Sequence, residues 1–430
     1  MDRSLKESLR SSGGLALICG LLAASTCASP TFADDDHDRG ALRLIKVVPV
    51  PTNLAPLVSF DISWIDPSTE RYYLSDRSNA AIDVVDARTG TFLKAIKGGF
   101  AGVKFNAAGA ADTPHSGPHG VVTSGRWLFA TDAGSRVVSI DLTTDQVVSS
   151  VNVSPSDRRA DELAYDPQSG TLLVINNADE PPFGTLVSVN KSTGQLTVGK
   201  QIIFDNSHSG FEATNGAEQP VWDPGTGRFY LSIPEINCNV TAQCGGRFPV
   251  GAVVRINPKT GTVDGIFPVK FCQPAGLTRG PNQDLLLGCG VAFDSAGDAW
   301  TATDTKSAAP ISVIMDLRNG SIDKMVAGVS GSDEVWFNSG DGRYYLAARN
   351  QPGGPVLGVI DARSQVLQQL VPTVNTAGIP NVLPAGSAHS VAVDPHNNHV
   401  LVPLSANNVF PFCLNGCIAV FGSWDNDDRR

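Results

Sequence analysis

Between Leu42 and Phe421 the chain is built from short runs in which apolar and polar residues alternate, each run closed by an Asx, proline or glycine turn. Period-two alternation rich in β-branched and aromatic residues predicts strands, and the close spacing of the turns predicts an all-β protein. One run recurs in a fixed form: an ionisable residue, alternating apolar positions, then a turn that is usually Asp-Pro. It stands at residues 61–67 (DISWIDP), 161–167 (DELAYDP), 218–224 (EQPVWDP) and 389–395 (HSVAVDP). Looser copies stand at 119–124 (HGVVTS), 275–281 (AGLTRGP) and 333–338 (DEVWFN). Successive copies begin 58, 42, 57, 57, 58 and 56 residues apart. That regularity marks an internal repeat.

Each copy continues alike. A second run follows the turn, as in 71–75 (RYYLS), 127–131 (WLFAT) and 343–348 (RYYLAA), and a third follows a loop of variable length, as in 82–85 (IDVV). A second turn such as 86–90 (DARTG) or 257–261 (NPKTG) then leads into a fourth run. Asx side chains and a glycine at positive φ satisfy such turns locally. Four strands repeated seven times predict a seven-bladed β-propeller of four-stranded antiparallel blades, each blade burying its faces against its neighbours. The last copy stops after its third strand at 418–421, whereas residues 42–48 (LRLIKVV) precede the first copy without partners. Closure of the ring by that N-terminal strand is therefore expected, with residues 42–422 forming the propeller.

Residues 73–76 (YLSD) followed by 82–90 (IDVVDARTG) resemble bacterial YVTN-type propeller repeats, a likeness that runs over nearly all of the chain after its leader. Residues 218–224 resemble the Glu-Gly-Pro-Val-Trp motif of the SMP-30/gluconolactonase propellers, which implies that Glu218 is a metal ligand. At that family's Asn-Gly ligand position this chain carries His119, and at its Asp-Gly position it carries Ala275, which offers no ligand atom. The resemblance transfers a role to Glu218 alone.

The ends read differently from the body. Residues 1–33 have a weakly basic start, a short apolar stretch at 15–24 and the cleavage-type sequence 31–33 (TFA), the pattern of a removable signal peptide. An acidic tail (34–41) and a charged C-terminal tail (423–430) flank the propeller. The formal charge is −10, and the leader holds Arg3, Lys6 and Arg10 against Asp2 and Glu7, so the exported chain is one unit more acidic. An acidic chain without basic runs excludes nucleic acid and anionic membrane surfaces as expected partners, and no stretch is long enough to insert in a bilayer. A periplasmic or secreted monomer is expected. Six cysteines remain after the leader, an even number that in an exported chain predicts disulfides. Nearest-neighbour pairing gives 238–244, 272–289 and 413–417.

In a propeller the inner strands begin at one mouth of the channel, beside the loops that join second to third strands. Those loops are long here (176–184, 234–250, 288–310, 349–355 and 404–416), which marks the face for a small-molecule or protein partner. The same mouth gathers the first residue of every repeat: Asp61, His119, Asp161, Glu218, Ala275, Asp333 and His389. Carboxylates and imidazoles converging in a channel attract a cation. His119, Glu218, His389 and Asp333 are the candidate ligands of a divalent metal ion, and Asp61 and Asp161 the candidate general bases toward bound water. Glu162 and Glu334, next in line, are expected to point off the axis in structural roles. Trp64, Trp222 and Trp336 are expected at one repeat position, in the core between blades. His115 and His208 lie in blade-joining loops on the mouth side. Three function classes stay open: a metal-dependent lactone or ester hydrolase, a non-catalytic ligand-binding or protein-binding propeller, and a metal store or sensor. The chain carries no Gly-x-Ser-x-Gly elbow, phosphate loop, dinucleotide fingerprint or haem-attachment motif.

Overall fold

A computed structural model describes residues 40–237, 250–295, 297–300, 310–351, 354–373 and 388–423. Seven four-stranded antiparallel sheets follow one another along the chain, the arrangement of a β-propeller. Six blades are continuous: 60–96, 121–152, 163–203, 220–269, 272–327 and 335–372. The seventh takes its three inner strands from Ala392–Asp394, His399–Leu404 and Cys417–Gly422, and its outer strand from Arg43–Pro49. That last pairing runs from Arg43 opposite Gly422 to Pro49 opposite Cys417, with one register shift between Leu44 and Lys46. Closure by the N-terminal strand is thus as the repeat count implies. Ordered contact starts before that strand: Arg343 donates to the Gly40 carbonyl at 2.9 Å, and the backbone of Leu42 exchanges two hydrogen bonds with the Gln369 side chain.

The apolar core is divided among the seams. Seven buried clusters are present among the described residues, each shared by two neighbouring blades, including the seam between blades 7 and 1 built on Tyr72, Leu74, Leu401 and Val420. A blade alone would leave half of each cluster exposed, so the ring is the folding unit. Turns supply the local hydrogen bonds anticipated for Asx residues: Asp66 accepts from Ser68, Asp223 from Thr226 and Asp316 from Arg318.

The tryptophans depart from expectation. Trp64 and Trp336 stand two residues before their turn residues Asp66 and Asn338, whereas Trp222 stands one residue before Asp223, so strand alternation turns it to the other face. Trp222 packs on Phe229 at 4.7 Å between ring centroids, within the seam of blades 3 and 4. The rings of Trp64 and Trp336 meet edge to face at 5.2 Å although blade 7 lies between their blades. Trp64 packs against the seams on both sides of blade 2 and donates from Nε1 to Thr123, and Trp336 packs against the seams on both sides of blade 7, rather than each filling one seam.

Two of the three expected disulfides are present, Cys272–Cys289 and Cys413–Cys417. The third, between Cys238 and Cys244, lies outside the described residues, as do the expected leader, most of the acidic tail and the C-terminal tail. The loop expected to begin at Gly288 begins later, because the strand Asp284–Ala292 runs through it. Among the described residues no helix is long and apolar enough to cross a membrane.

Candidate functional site

The repeat-start residues occupy equivalent backbone positions. The amides of His119, Asp161, Glu218 and Asp333 donate to carbonyls of the second strands of their own blades, at Thr131, Ile175, Ser232 and Ala347. The residue after each start then reaches the next blade: Ile62 donates to His119, Gly120 to Asp161, Gln219 to Ala275 and Glu334 to His389. This circular ladder fixes the backbone of the channel mouth, so its side chains converge without help from flexible loops.

A cavity of about 250 Å³ opens there, lined by Asp61, Asp161, Glu218, Asp333 and His389, five of the six ionisable residues expected. The sixth, His119, lies fully buried just behind it. Glu162 and Glu334, expected off the axis, line the same cavity and are hydrogen-bonded to each other, with Gln219 donating to Glu334 at 2.9 Å. The seven-bladed ring is narrow enough for carboxyls from blades 3 and 6 to meet across it. His115 and His208 do not line the mouth; each is tied to an aspartate three residues earlier, Asp112 and Asp205.

Three guanidiniums complete the site. Arg77 is ion-paired with Asp61 and stands 3.2 Å from His119 Nδ1. Arg159 pairs with Asp161 at 2.8 Å, and Arg349 pairs with Asp333 at 2.9 Å. Arg77 and Arg349 each follow directly on the second strand of their blade, after Asp76 and Ala348. That shared repeat position is the signal by which the sequence discloses them.

The mouth therefore sets six carboxyls against three guanidiniums and two imidazoles. Burial would raise Asp61, but Arg77 and the hydrogen bonds of His119 and His389 hold it well below the usual carboxylate range. Burial, with the Arg77 charge, pushes His119 down to about 4 against the pull of Asp61. Burial lifts Asp161 to about 7, with Arg159 opposing and Asp61 adding to the rise. Glu218 rises to about 8, through burial and then the charges of Asp161 and Asp333. Glu162 and Glu334 are raised well above the normal range by burial and by neighbouring carboxylates. Crowded acids that cannot all ionise retain protons at neutral pH, and a bound cation would displace them.

Asp61, His119 and Asp161 can hold a metal ion: one donor atom from each lies within 4.8 Å of the others, and all three residues are buried. His119 Nε2 is 2.8 Å from the Ser116 carbonyl, and Nδ1 is 2.5 Å from Asp61 Oδ2 and 3.4 Å from Asp161 Oδ1. In the neutral tautomer that gives Nε2–H to Ser116, Nδ1 turns its lone pair toward two carboxylates, so the close contact with Asp61 calls for a proton or a cation there. Positive charge belongs at that point, and here the guanidinium of Arg77 supplies it. His389 stacks on Phe60 at 4.8 Å and contacts Asp61 Oδ1 through Nε2 at 3.2 Å, so its ring is held at the edge of the cavity.

No family model matches the sequence and no curated protein matches it. Among solved structures, hydrazine synthase of Kuenenia stuttgartiensis is similar, with a TM-score of 0.60 at 12% identity over 87% of this chain and 97% of that chain. The fold is a β-propeller. At that identity the likeness reaches the fold and no further, and neither the YVTN nor the SMP-30 resemblance gains support from it.

Proposed function

We propose that this protein is an exported β-propeller that binds a divalent cation at the mouth of its channel and uses it to hydrolyse a small ester or lactone. The observation that carries the reading is the convergence of Asp61, His119 and Asp161, with the far nitrogen of His119 committed to the Ser116 carbonyl. Such an outer-shell bond fixes the tautomer that presents a ligating nitrogen. Glu218, Asp333 and His389 complete the proposed ligand set around the same cavity. A divalent ion would supply Lewis-acid polarisation of a carbonyl and a more acidic bound water.

The chain's own groups have separate tasks. Asp61 and Asp161 are also the proposed bases: whichever of the two is not bound to the cation would take a proton from its bound water. Arg159 and Arg349 provide donors for the carbonyl or carboxylate of a bound molecule, and the ladder of inter-blade hydrogen bonds keeps the cavity rigid. Two disulfides fit an oxidising compartment, periplasmic or extracellular.

Elemental analysis of the purified protein, followed by calorimetric titration with calcium, manganese and zinc, tests the cation. Turnover of a lactone and ester panel with and without chelator tests the activity. Roughly one equivalent of bound metal and chelator-sensitive turnover are expected. A second reading is favoured by Arg77, whose guanidinium already contacts both Asp61 and His119: the mouth would then bind a small charged ligand without turnover. Absence of metal binding together with tight binding of an organic ion would establish that reading instead.

A further inference from the structure

A second cavity, of about 390 Å³, lies beside the channel mouth and shares Arg349 with it. It is less charged than the mouth. Val291, Ala292, Trp300 and Pro355 line it with the polar Ser330, Asn350 and Gln351, and among the described residues Arg349 is the one charged group of its lining. The volume falls in the range of small-molecule sites.

Its walls are tied down. The Cys272–Cys289 disulfide joins the first two strands of blade 5, and the Cys289 carbonyl accepts from the amides of Gly331 and Ser332 and from the Ser330 hydroxyl. Gln351 spans the other wall, accepting from the Ser330 amide and donating to the Gly328 carbonyl. Gly331 has φ +74°, and a Cβ there would stand 2.4 Å from the backbone of Asn350, so only glycine allows the two segments to cross. Trp300 is held by its amide bond to the Ala292 carbonyl at 2.8 Å.

We propose that this cavity is the tail subsite of the channel-mouth site: it takes the apolar part of an amphipathic ester or lactone whose polar head lies among the carboxylates and guanidiniums. The inference rests on the reading of the mouth as the head-group site. Arg349 forms the partition, paired with Asp333 on the mouth side and facing Trp300's cavity on the other. The mouth offers a head group little apolar contact beyond Ile62, and the second cavity offers an apolar tail Val291, Ala292, Trp300 and Pro355. The two cavities together specify a molecule that has both.

The test compares γ-butyrolactone with γ-decalactone, which carries the same ring and an added alkyl chain, by calorimetry on the full-length exported protein. The longer lactone is expected to bind at least about tenfold more tightly, since each buried methylene contributes. Trp300→Ala should abolish that difference and leave γ-butyrolactone unchanged, while Trp300→Phe should retain it. Anilinonaphthalene sulfonate, an apolar ring system with an anionic group, probes the cavity independently of the mouth. Its fluorescence enhancement should be lost in Trp300→Ala and kept in Trp300→Phe. If neither lactone binds but the dye still depends on Trp300, the apolar pocket stands and the hydrolase reading of the mouth fails. If dye and γ-decalactone bind Trp300→Ala as they bind wild type, the tail subsite is overturned.

Discussion

Replacing Asp83 by asparagine should stabilise this protein at neutral pH. Asp83 is fully buried on the third strand of blade 1, and neither of its carboxylate oxygens has a well-formed hydrogen bond. Its neighbour on the same face of the sheet is Asp76, also fully buried, which accepts from the amide and side chain of Asn79. Lys97 is the nearest cation acting on Asp83, and its ammonium is bonded to the Asn79 carbonyl. Burial lifts Asp76 to about 6, and burial together with the Asp76 charge raises Asp83 well above the normal range. One proton is thus held between two acids in a dry seam.

The sign and size follow from linkage. A carboxyl whose folded value lies above its unfolded value contributes stability that is fully present below the unfolded value near 3.8 and is lost as pH rises through the folded value. For Asp76 the window is from 3.8 to about 6, and the lift corresponds to about 3 kcal/mol. Asparagine keeps an N–H donor toward Asp76 without the proton that the Asp83 carboxyl must take up on folding. The advantage of Asp83→Asn over wild type should therefore be small at about pH 4 and grow by up to about 1.4 kcal/mol per pH unit toward about pH 8. Denaturant unfolding of both proteins across that range measures it. A variant that is destabilised at both ends, with the same pH slope as wild type, would mean that no shared proton is held there.

Other outcomes follow from the same structure. Deleting residues 42–49 removes the outer strand of blade 7 together with the buried Leu42 and Val48 and leaves Cys417–Gly422 as a bare edge, so stability should fall by at least about 3 kcal/mol, read by denaturant unfolding. Thiol titration of denatured, unreduced protein should find no free cysteine. Removing Cys272–Cys289, which closes a separation of 17 residues, should cost about 3 kcal/mol, against about 2 kcal/mol for Cys413–Cys417 with a separation of 4. Arg77→Met should raise divalent-cation affinity about tenfold or more, because it removes the positive charge that contacts both Asp61 and His119. An unchanged affinity in that variant would place the cation elsewhere.

The blade count and the closing strand were legible because strand, turn and seam are local or repeated properties. The DISWIDP and DELAYDP copies mark inner strands at equivalent places, and an orphan strand at 42–48 could only complete the unit that lacked one. Trp222 shows where such reading stops. Its copy carries the indole one residue nearer the turn than Trp64 does, and in a strand that single step selects the opposite face. Similar letters at nearly the same place are not the same environment.

The channel mouth was legible as a ring of acids and histidines, but its charge balance was not. Arg77 and Arg349 share a repeat position after the second strand and Arg159 stands two residues before Asp161, but only the folded ring shows that all three turn toward the mouth. The radius of the closed ring explains Glu162 and Glu334. Blades 3 and 6 both carry Asp-Glu at the repeat start, and one carboxyl of each dipeptide faces the cavity at any ring size. In this seven-bladed ring the second pair also meets, so the site holds two carboxyls more than the repeat-start residues supply. Those two acids favour a proton or a cation over an anion at the centre of the mouth, and the guanidiniums offset part of that charge whether or not a metal binds. The cluster's residual affinity for positive charge, after three arginines have been provided, is the quantity that decides between a cation site and a binding pocket for an organic ion.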